Sequence, residues 1–412
     1  MSTLNIICFS NQLWDWPLWT NKRQVMARLA NLGHNVLFVD PPIRIQKLVK
    51  QVVGGQWSLS RLVTGDRVVK TEFEENKELI NYTPLTFSYS EDPNLIGFNV
   101  RRLLTGRHTG RPLQSKRSEI GSELPRTFQQ KDGKTILWVY NVSMREYVDK
   151  IPHDFLIYDC VDDYPSMANY ERLGLSDQVK TWEEELTKKA DLVFGTTPGL
   201  VEKLSKLNAN THFVPNAGNY ELFSKVTRQN APKPEALASI SAPIIGFTGT
   251  IDDYKVDTAL IVKTARQYPQ YSFVIIGPRG ETDKSPDLSI LKTLANVHFL
   301  SEIKYEAQAS YYAYFDAFII PYRLNNYTVK GCFPVKFFDA LSAGLPTIVT
   351  NLPAYKAYKD VCYIGRTEED FVKMVGQAVT EDSLERRQAR QVVAKDNSWD
   401  GKVTKMLAFL SS

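Results

Sequence analysis

Short apolar or β-branched runs alternate along this chain with segments of helical periodicity. The runs at residues 4–9, 35–39, 135–140, 155–159, 191–196 and 212–214 read as buried strands of a first half. Those at 243–247, 272–276, 297–300, 317–321 and 347–350 read as strands of a second. Unbroken hydrophobic strands of this length suit parallel sheets covered on both faces. Helices are expected at 22–32, 178–190, 198–207, 305–314, 336–343, 368–379, 383–393 and 400–410. Strand, helix and strand in succession predict an α/β fold of parallel, doubly wound sheets. Residues 48–90 are irregular and strand-like, and 322–333 read as a loop.

At 412 residues the chain exceeds one ordinary core. Composition changes after VPNAGNYELF (214–223), where Pro232, Pro234 and several Ala and Ser give a linker. The division read from this is residues 1–216, a linker at 217–242, a second domain at 243–395 and a final helical segment at 396–412. Hydrophobic content of 43% with 23% charged residues belongs to a soluble globular protein. A net charge of +4 does not indicate nucleic acid and is compatible with anionic substrates or an anionic membrane surface. Cys8, Cys160, Cys332 and Cys362 show no C-x-x-C spacing, so reduced thiols in a cytoplasmic protein are expected. Neither a signal peptide nor an apolar run of about 18 residues is expected. The sequons at Asn81, Asn141 and Asn326 are then chance matches.

Candidate chemistry concentrates in FPVKFFDALSAGLPTIVT (333–350). Pro334 and Val335 lead into a helix, Gly344 suits its C-terminal stop, and a β-branched strand follows. Lys336 and Asp339, three residues apart, are expected to share a face. A lysine at a helix N-terminus suits a diphosphate, and an acid one turn on suits a ribose diol. A surface lysine on an ordinary helix is the competing reading. Gly246 and Gly249 would let backbone approach a ligand. Asp159, Asp162 and Asp163 cluster at the carboxyl end of a strand, where open α/β sheets bind ligands, although Asp162 or Asp163 could instead cap a turn. The first loop holds Trp14, Asp15, Trp16 and Trp19 in place of G-x-G-x-x-G, which argues against a dinucleotide oxidoreductase. Its tryptophans either stack on sugars or pack the loop down. Arg101, Arg102, Arg107, Arg111, Lys116 and Arg117 form either a solvated loop or a contact with anionic lipid or a diphosphate-linked acceptor. D-x-D is absent.

The 333–350 stretch resembles the signature of GT-B glycosyltransferases close to retaining family 4, P-x-K-x-x-E/D followed by x-x-A-G-x-P. FDAFIIPYR (315–323), NNYT (325–328) and the hinge-like VPNAGNYELF extend the resemblance over most of the chain. It implies two Rossmann-like doubly wound domains facing across a cleft, with the terminal helix crossing back to the first. It also implies sugar transfer from a nucleotide-sugar donor to a hydroxyl of a glycan or lipid-linked acceptor, in cell-surface polysaccharide biosynthesis. The anomeric configuration would be retained, with no metal and no cofactor. By the same resemblance Lys255, Lys336 and Asp162 are catalytic, and Gly249, Thr250, Arg279, Pro334, Val335 and Asp339 bind the donor. Trp14, Asp15, Trp16 and Asp163 would meet the acceptor. Two departures stand out. Thr250 replaces an arginine of the G-R-x-x-x-x-K pattern, for which Arg279 could substitute, and Gly331 replaces the first acid of E-x7-E. They keep open a non-catalytic partner protein of the same fold. A sugar-nucleotide epimerase would need acids or histidine in the donor site, and 331–350 contains no histidine.

Overall fold

The computed structural model describes residues 2–15, 19–41, 43–44, 66–70, 78–82, 85–86, 132–278 and 288–410. In chain order the strands of its first half are β1 (Asn5–Phe9), β2 (Asn35–Val39), β3 (Ile43–Arg44), β4 (Asp66–Lys70), β5 (Glu78–Tyr82), β6 (Leu85–Thr86), β7 (Thr135–Val139), β8 (Phe155–Cys160), β9 (Leu192–Gly195) and β10 (Thr211–Phe213). Those of the second are β11 (Ile244–Thr248), β12 (Ser272–Ile276), β13 (Val297–Leu300), β14 (Ala317–Ile320), β15 (Thr347–Thr350) and β16 (Tyr363–Gly365).

The first sheet has eight strands in the order β10-β9-β8-β7-β1-β2-β5-β4. It is parallel except for β4, which runs antiparallel to β5 at the edge. The second has six parallel strands in the order β13-β12-β11-β14-β15-β16. β3 and β6 form a separate two-stranded ribbon. Each main sheet winds outward from a central strand, β1 or β11, and both of these are buried along their whole length. That is the cause of the apolar runs. A central strand covered on both faces offers no solvent side for polar alternation.

Among the elements that escape the periodicity reading, three shape the second half. The helix Thr258–Gln267 covers the second sheet and β16 closes its edge. The third corrects the loop expected over 322–333, which contains the helix Asn326–Gly331. Its signal is a capping box: the Asn325 side chain accepts from the Thr328 amide at 2.9 Å, and the Asn325 amide donates to Thr328 Oγ1 at 3.0 Å. Threonine stands where glutamate usually completes such a box.

The terminal helix Trp399–Ala408 lies against the first half. Asp400 pairs with Arg28 at 3.0 Å, Phe409 packs on Phe194 at 5.8 Å, and Lys402 Nζ donates to the carbonyls of Val214 and Pro215 at 3.3 and 2.9 Å. Gly218 exchanges backbone hydrogen bonds with Asn397 and Trp399, both 3.1 Å. A Cβ on Gly218 would lie 2.7 Å from the Phe338 carbonyl carbon, so the connecting segment needs glycine there. Among the described residues no helix is long and apolar enough to cross a membrane.

Candidate active site

The carboxyl ends of the two sheets face one another. On the second, the helix Lys336–Ser342 begins below the loop that follows β11. Phe333, just before it, is held by Asn216 Nδ2 donating to its carbonyl at 2.7 Å. Pro334 is buried, and Val335 already has helical backbone angles. The Lys336 ammonium sits over Phe247 at 4.3 Å and Tyr322 at 5.4 Å from the ring centroids. Gly249 makes room for it. Its φ is +121°, and a Cβ there would lie 2.4 Å from Lys336 Nζ. Glycine is thus required by conformation and by space.

Lys336 has no hydrogen bond or ion pair among the described residues. Burial, and then the charge of Lys255, push its pKa down to about 7. Lys255 lies on the same side, 3.1 Å from Asp252 and 4.9 Å from the Tyr254 ring centroid. Burial alone would lower its pKa too, but the neighbouring groups, Asp252 among them, hold it well above the ordinary lysine value. Both ammonium groups therefore lie over aromatic rings, and among the described residues Lys255 is paired and Lys336 is not. An anion between them would gain from both, and its arrival would recharge Lys336. Thr250 is half-buried on the loop beside Gly249, and Arg279 lies outside the described residues. Gly246 is corrected. It admits no ligand, because the Phe315 ring fills the space 2.2 Å from where its Cβ would be.

Asp339 does not share a face with Lys336. Its Oδ1 accepts from the Asn219 amide at 2.9 Å, and Tyr305 Oη donates to both oxygens at 3.1 and 3.2 Å. Burial raises its pKa to about 7, against the opposing effect of those donors and Arg28. Three residues along a helix turn the side chain by about 60°, and the two chains then diverge. Asp339 thus joins the second sheet to the connecting segment.

Across the cleft, Asp162 accepts a hydrogen bond from Tyr327 Oη of the helix Asn326–Gly331 at 2.7 Å. Thr197 Oγ1 donates to the Lys330 carbonyl of the same helix at 2.6 Å. Gly331 packs so closely that its Cβ would lie 2.6 Å from the Asp163 amide nitrogen. The acid missing at 331 has no room in this arrangement. Asp163 itself is a brace and not an acceptor contact. Its oxygens take Lys203 at 2.6 Å and the Ser166 hydroxyl at 2.5 Å, while Lys203 also pairs with buried Glu183 at 2.7 Å. Tyr158 donates to Glu183 at 3.1 Å behind them.

The first loop is corrected similarly. Trp14 is 3% exposed, edge-on to Phe38 at 5.0 Å, with its amide donating to Asp40 at 2.7 Å. Trp19 lies flat against Tyr305 with Arg23 over its ring at 3.9 Å. Both pack the loop down and offer no free face for sugar stacking. Asp15 is exposed, while Trp16 and the basic stretch at 101–117 lie outside the described residues. Among the described residues no group of three metal-ligating side chains occurs.

Lys22 and Tyr327 were missed from sequence. Lys22 is 4% exposed in the first turn of the helix Asn21–Asn31, its ammonium 5.8 Å from the Tyr140 ring centroid, and burial lowers its pKa against the pull of Asp162 and Asp159. Its signal was position: a lysine opening the helix that follows β1 lies over the carboxyl edge of the sheet. Tyr327 lay within a quoted motif, but its partner is 165 residues away.

Comparison with known proteins adds to this geometry. Residues 242–394 match the family model described as Glycosyl transferases group 1. A relative, named as the putative teichuronic acid biosynthesis glycosyltransferase TuaH of Bacillus subtilis (strain 168), is 29% identical over 263 residues. That match spans 60% of this chain and 64% of the length of TuaH. Sucrose-phosphate synthase from Thermosynechococcus elongatus aligns with a TM-score of 0.65 at 14% identity, covering 100% of both chains. HepE of Anabaena in complex with UDP-glucose gives 0.63 at 11%, covering 99% of both. The trehalose-phosphate synthase of Burkholderia xenovorans gives 0.62 at 11%, covering 100% of both. At such identities the solved structures establish the architecture they share with this chain, two sheets across a cleft.

Proposed function

We propose that this chain, a group 1 glycosyltransferase of GT-B fold, moves a sugar from a nucleoside diphosphate to an acceptor hydroxyl. The observation that carries the reading is Lys336: an unpaired ammonium over two aromatic rings, beside Lys255 and under a glycine that admits it. A partly buried cation enclosed by rings and without a counter-ion is costly unless a ligand supplies one. The donor diphosphate would. As the sugar–oxygen bond breaks, negative charge grows on the leaving phosphate, and Lys255 and Lys336 stabilise it more than they stabilise the bound donor. This division of labour calls for no metal.

The acceptor would approach from the first sheet, where the Asp162 carboxylate can take a hydrogen bond from the incoming hydroxyl. Tyr327 on Asp162 and Thr197 on Lys330 hold the two halves together around that point, which would exclude competing water. We divide the chain at 216 and 243, with the terminal segment belonging to the first half. The name of TuaH favours an acceptor in cell-surface polysaccharide synthesis, and the UDP-glucose held by HepE makes UDP the first nucleotide to try. Retention of configuration follows the family 4 resemblance.

A protein that binds nucleotide without turnover is the second reading, favoured by Thr250 and by the filled space at Gly331. Calorimetry with UDP, GDP, dTDP and ADP, without and then with metal, tests the donor site. Micromolar binding of one nucleotide, lost in Lys336→Ala, supports it. Equal binding by that variant removes it. Binding accompanied by neither transfer nor donor hydrolysis favours the second reading.

A further inference from the structure

We propose that Tyr327 is a positioning residue that sets the Asp162 carboxylate from the opposite half, with one oxygen held and the other left to receive the acceptor hydroxyl. The inference rests on the reading of Asp162 as the group that meets that hydroxyl. Tyr327 is 5% exposed, and its hydroxyl donates to Asp162 Oδ1 at 2.7 Å. A hydroxyl at that distance from a carboxylate makes a short, charge-assisted bond. The first half fixes only the Asp162 backbone, whose carbonyl accepts from the Tyr164 amide at 3.0 Å and from Cys160 Sγ at 3.4 Å. Asp162 is half-buried, and its Oδ2 makes no hydrogen bond among the described residues. Asp163 is the contrast. Its Oδ1 takes Lys203 at 2.6 Å and its Oδ2 the Ser166 hydroxyl at 2.5 Å, both from its own half. The terminal torsion of an aspartate is broad, so an acid held by one oxygen takes its orientation from that one donor.

The ring of Tyr327 carries this placement on to the donor side. It stands edge-on to Tyr254 at 5.5 Å, and Lys255 Nζ lies over that same Tyr254 ring at 4.9 Å. The chain segments bearing these residues are strapped together. The Arg323 amide donates to the Lys255 carbonyl at 2.7 Å, Arg323 Nε donates to the Asp253 carbonyl at 2.8 Å, and Val256 bridges Tyr322. Toward the first half, the helix Asn326–Gly331 is seated without slack. A Cβ on Gly199 would lie 2.8 Å from the Lys330 carbonyl oxygen, and one on Gly331 would lie 2.5 Å from Asp163 Cβ. Lys255, Tyr254 and Tyr327 thus form one unbroken run of contacts that ends on Asp162. A diphosphate that draws Lys255 toward itself moves this run, so the acid is set in step with the donor.

The test is the carboxyl spectrum of the full chain labelled with 13C at the aspartate side-chain carbonyl, read at one fixed alkaline pH. The Asp162 and Asp163 resonances are assigned by their loss in Asp162→Asn and Asp163→Asn. Tyr327→Phe keeps the ring and removes the hydroxyl. It should shift the Asp162 resonance and leave that of Asp163 in place. Tyr254→Leu should also shift the Asp162 resonance, but only while the Tyr327 hydroxyl is present, as a double-mutant cycle shows. An unmoved Asp162 resonance in Tyr327→Phe overturns the proposal. An effect of Tyr254→Leu that persists in the Tyr327→Phe background overturns the link to the loop of Lys255. Saturation with whichever of UDP, GDP, dTDP or ADP binds should move the Asp162 resonance again in wild type and not in Tyr327→Phe. A nucleotide that binds wild type without moving it overturns that link without any variant at position 254. A merely structural Tyr327 would lower thermal stability in Tyr327→Phe and leave the nucleotide-induced shift in place. Failure of the donor reading would show separately, as no binding by any of the four, and the ligand-free shifts then decide alone.

Discussion

The lysines beneath the two halves of the cleft differ in what faces them. On the first sheet Lys203 touches Asp163 and Glu183. On the second, Lys336 has rings below it and another cation beside it. The first arrangement is already neutralised and serves architecture. The second remains incomplete until an anion arrives. Burial depth alone would not separate Lys203 from Lys336, because both are partly enclosed. The presence of a partner does.

Deleting a cation from each half should break the comparison most visibly. Lys203→Met leaves Glu183 and Asp163 enclosed without their charge. Buried pairs cost roughly 3–5 kcal/mol when broken. Because the Lys203 side chain is 36% exposed, we expect about 2–3 kcal/mol, measured by urea unfolding. Lys336→Met should show no such loss. Its folded-state pKa of about 7 lies below the ordinary 10.5, so the charged form opposes folding, fully below about pH 7 and progressively less as pH rises toward 10.5. The variant should be as stable as wild type or more so at neutral pH. Equal destabilisation by both substitutions would erase the distinction.

Function should reverse the order. Lys336→Ala is expected to weaken nucleotide binding and turnover at least about tenfold, or about 1.4 kcal/mol, with the fold intact. A subtler reading comes from protons. If the diphosphate recharges Lys336, binding should take up close to one proton at about pH 8 and little at about pH 6, with affinity falling as pH rises above about 7. Calorimetry in buffers of differing ionisation enthalpy measures this directly. Proton uptake that persists in Lys336→Ala would assign it elsewhere.

How much of this was legible follows from the range of each interaction. The sheets were, because a strand buried on both faces writes its own apolar run, as in Ile244–Thr248. The stretch around Lys336 was, because proline, lysine and glycine act within a few residues. What could not be read were directions and distant partners. Lys336 and Asp339 differ by three positions, yet one turns to Phe247 and the other to Asn219. Trp14 could either stack on a sugar or pack the loop down, and only the fold brings Phe38 and Arg23 against its ring. The sequence shows that an acid is missing at 331, but not that the Asp163 backbone occupies its place.

The smallest expected effect concerns a helix by which the second half reaches the first. Asn326–Gly331 has six residues, too few to persist on hydrogen bonds of its own. Two things can hold it: the Asn325–Thr328 box at its start, and the contacts of Tyr327 and Lys330 across the cleft. Asn325→Ala removes the first and leaves the second. Loss of such a cap costs about 1 kcal/mol. It should appear as faster hydrogen exchange confined to this helix, while the strands around Glu183 and Lys203 keep their protection. If exchange there is unchanged, the helix is held from across the cleft, and its order depends on closure of the two halves. If it rises, the helix is preformed by its own sequence, and the second half presents Tyr327 to Asp162 ready-made.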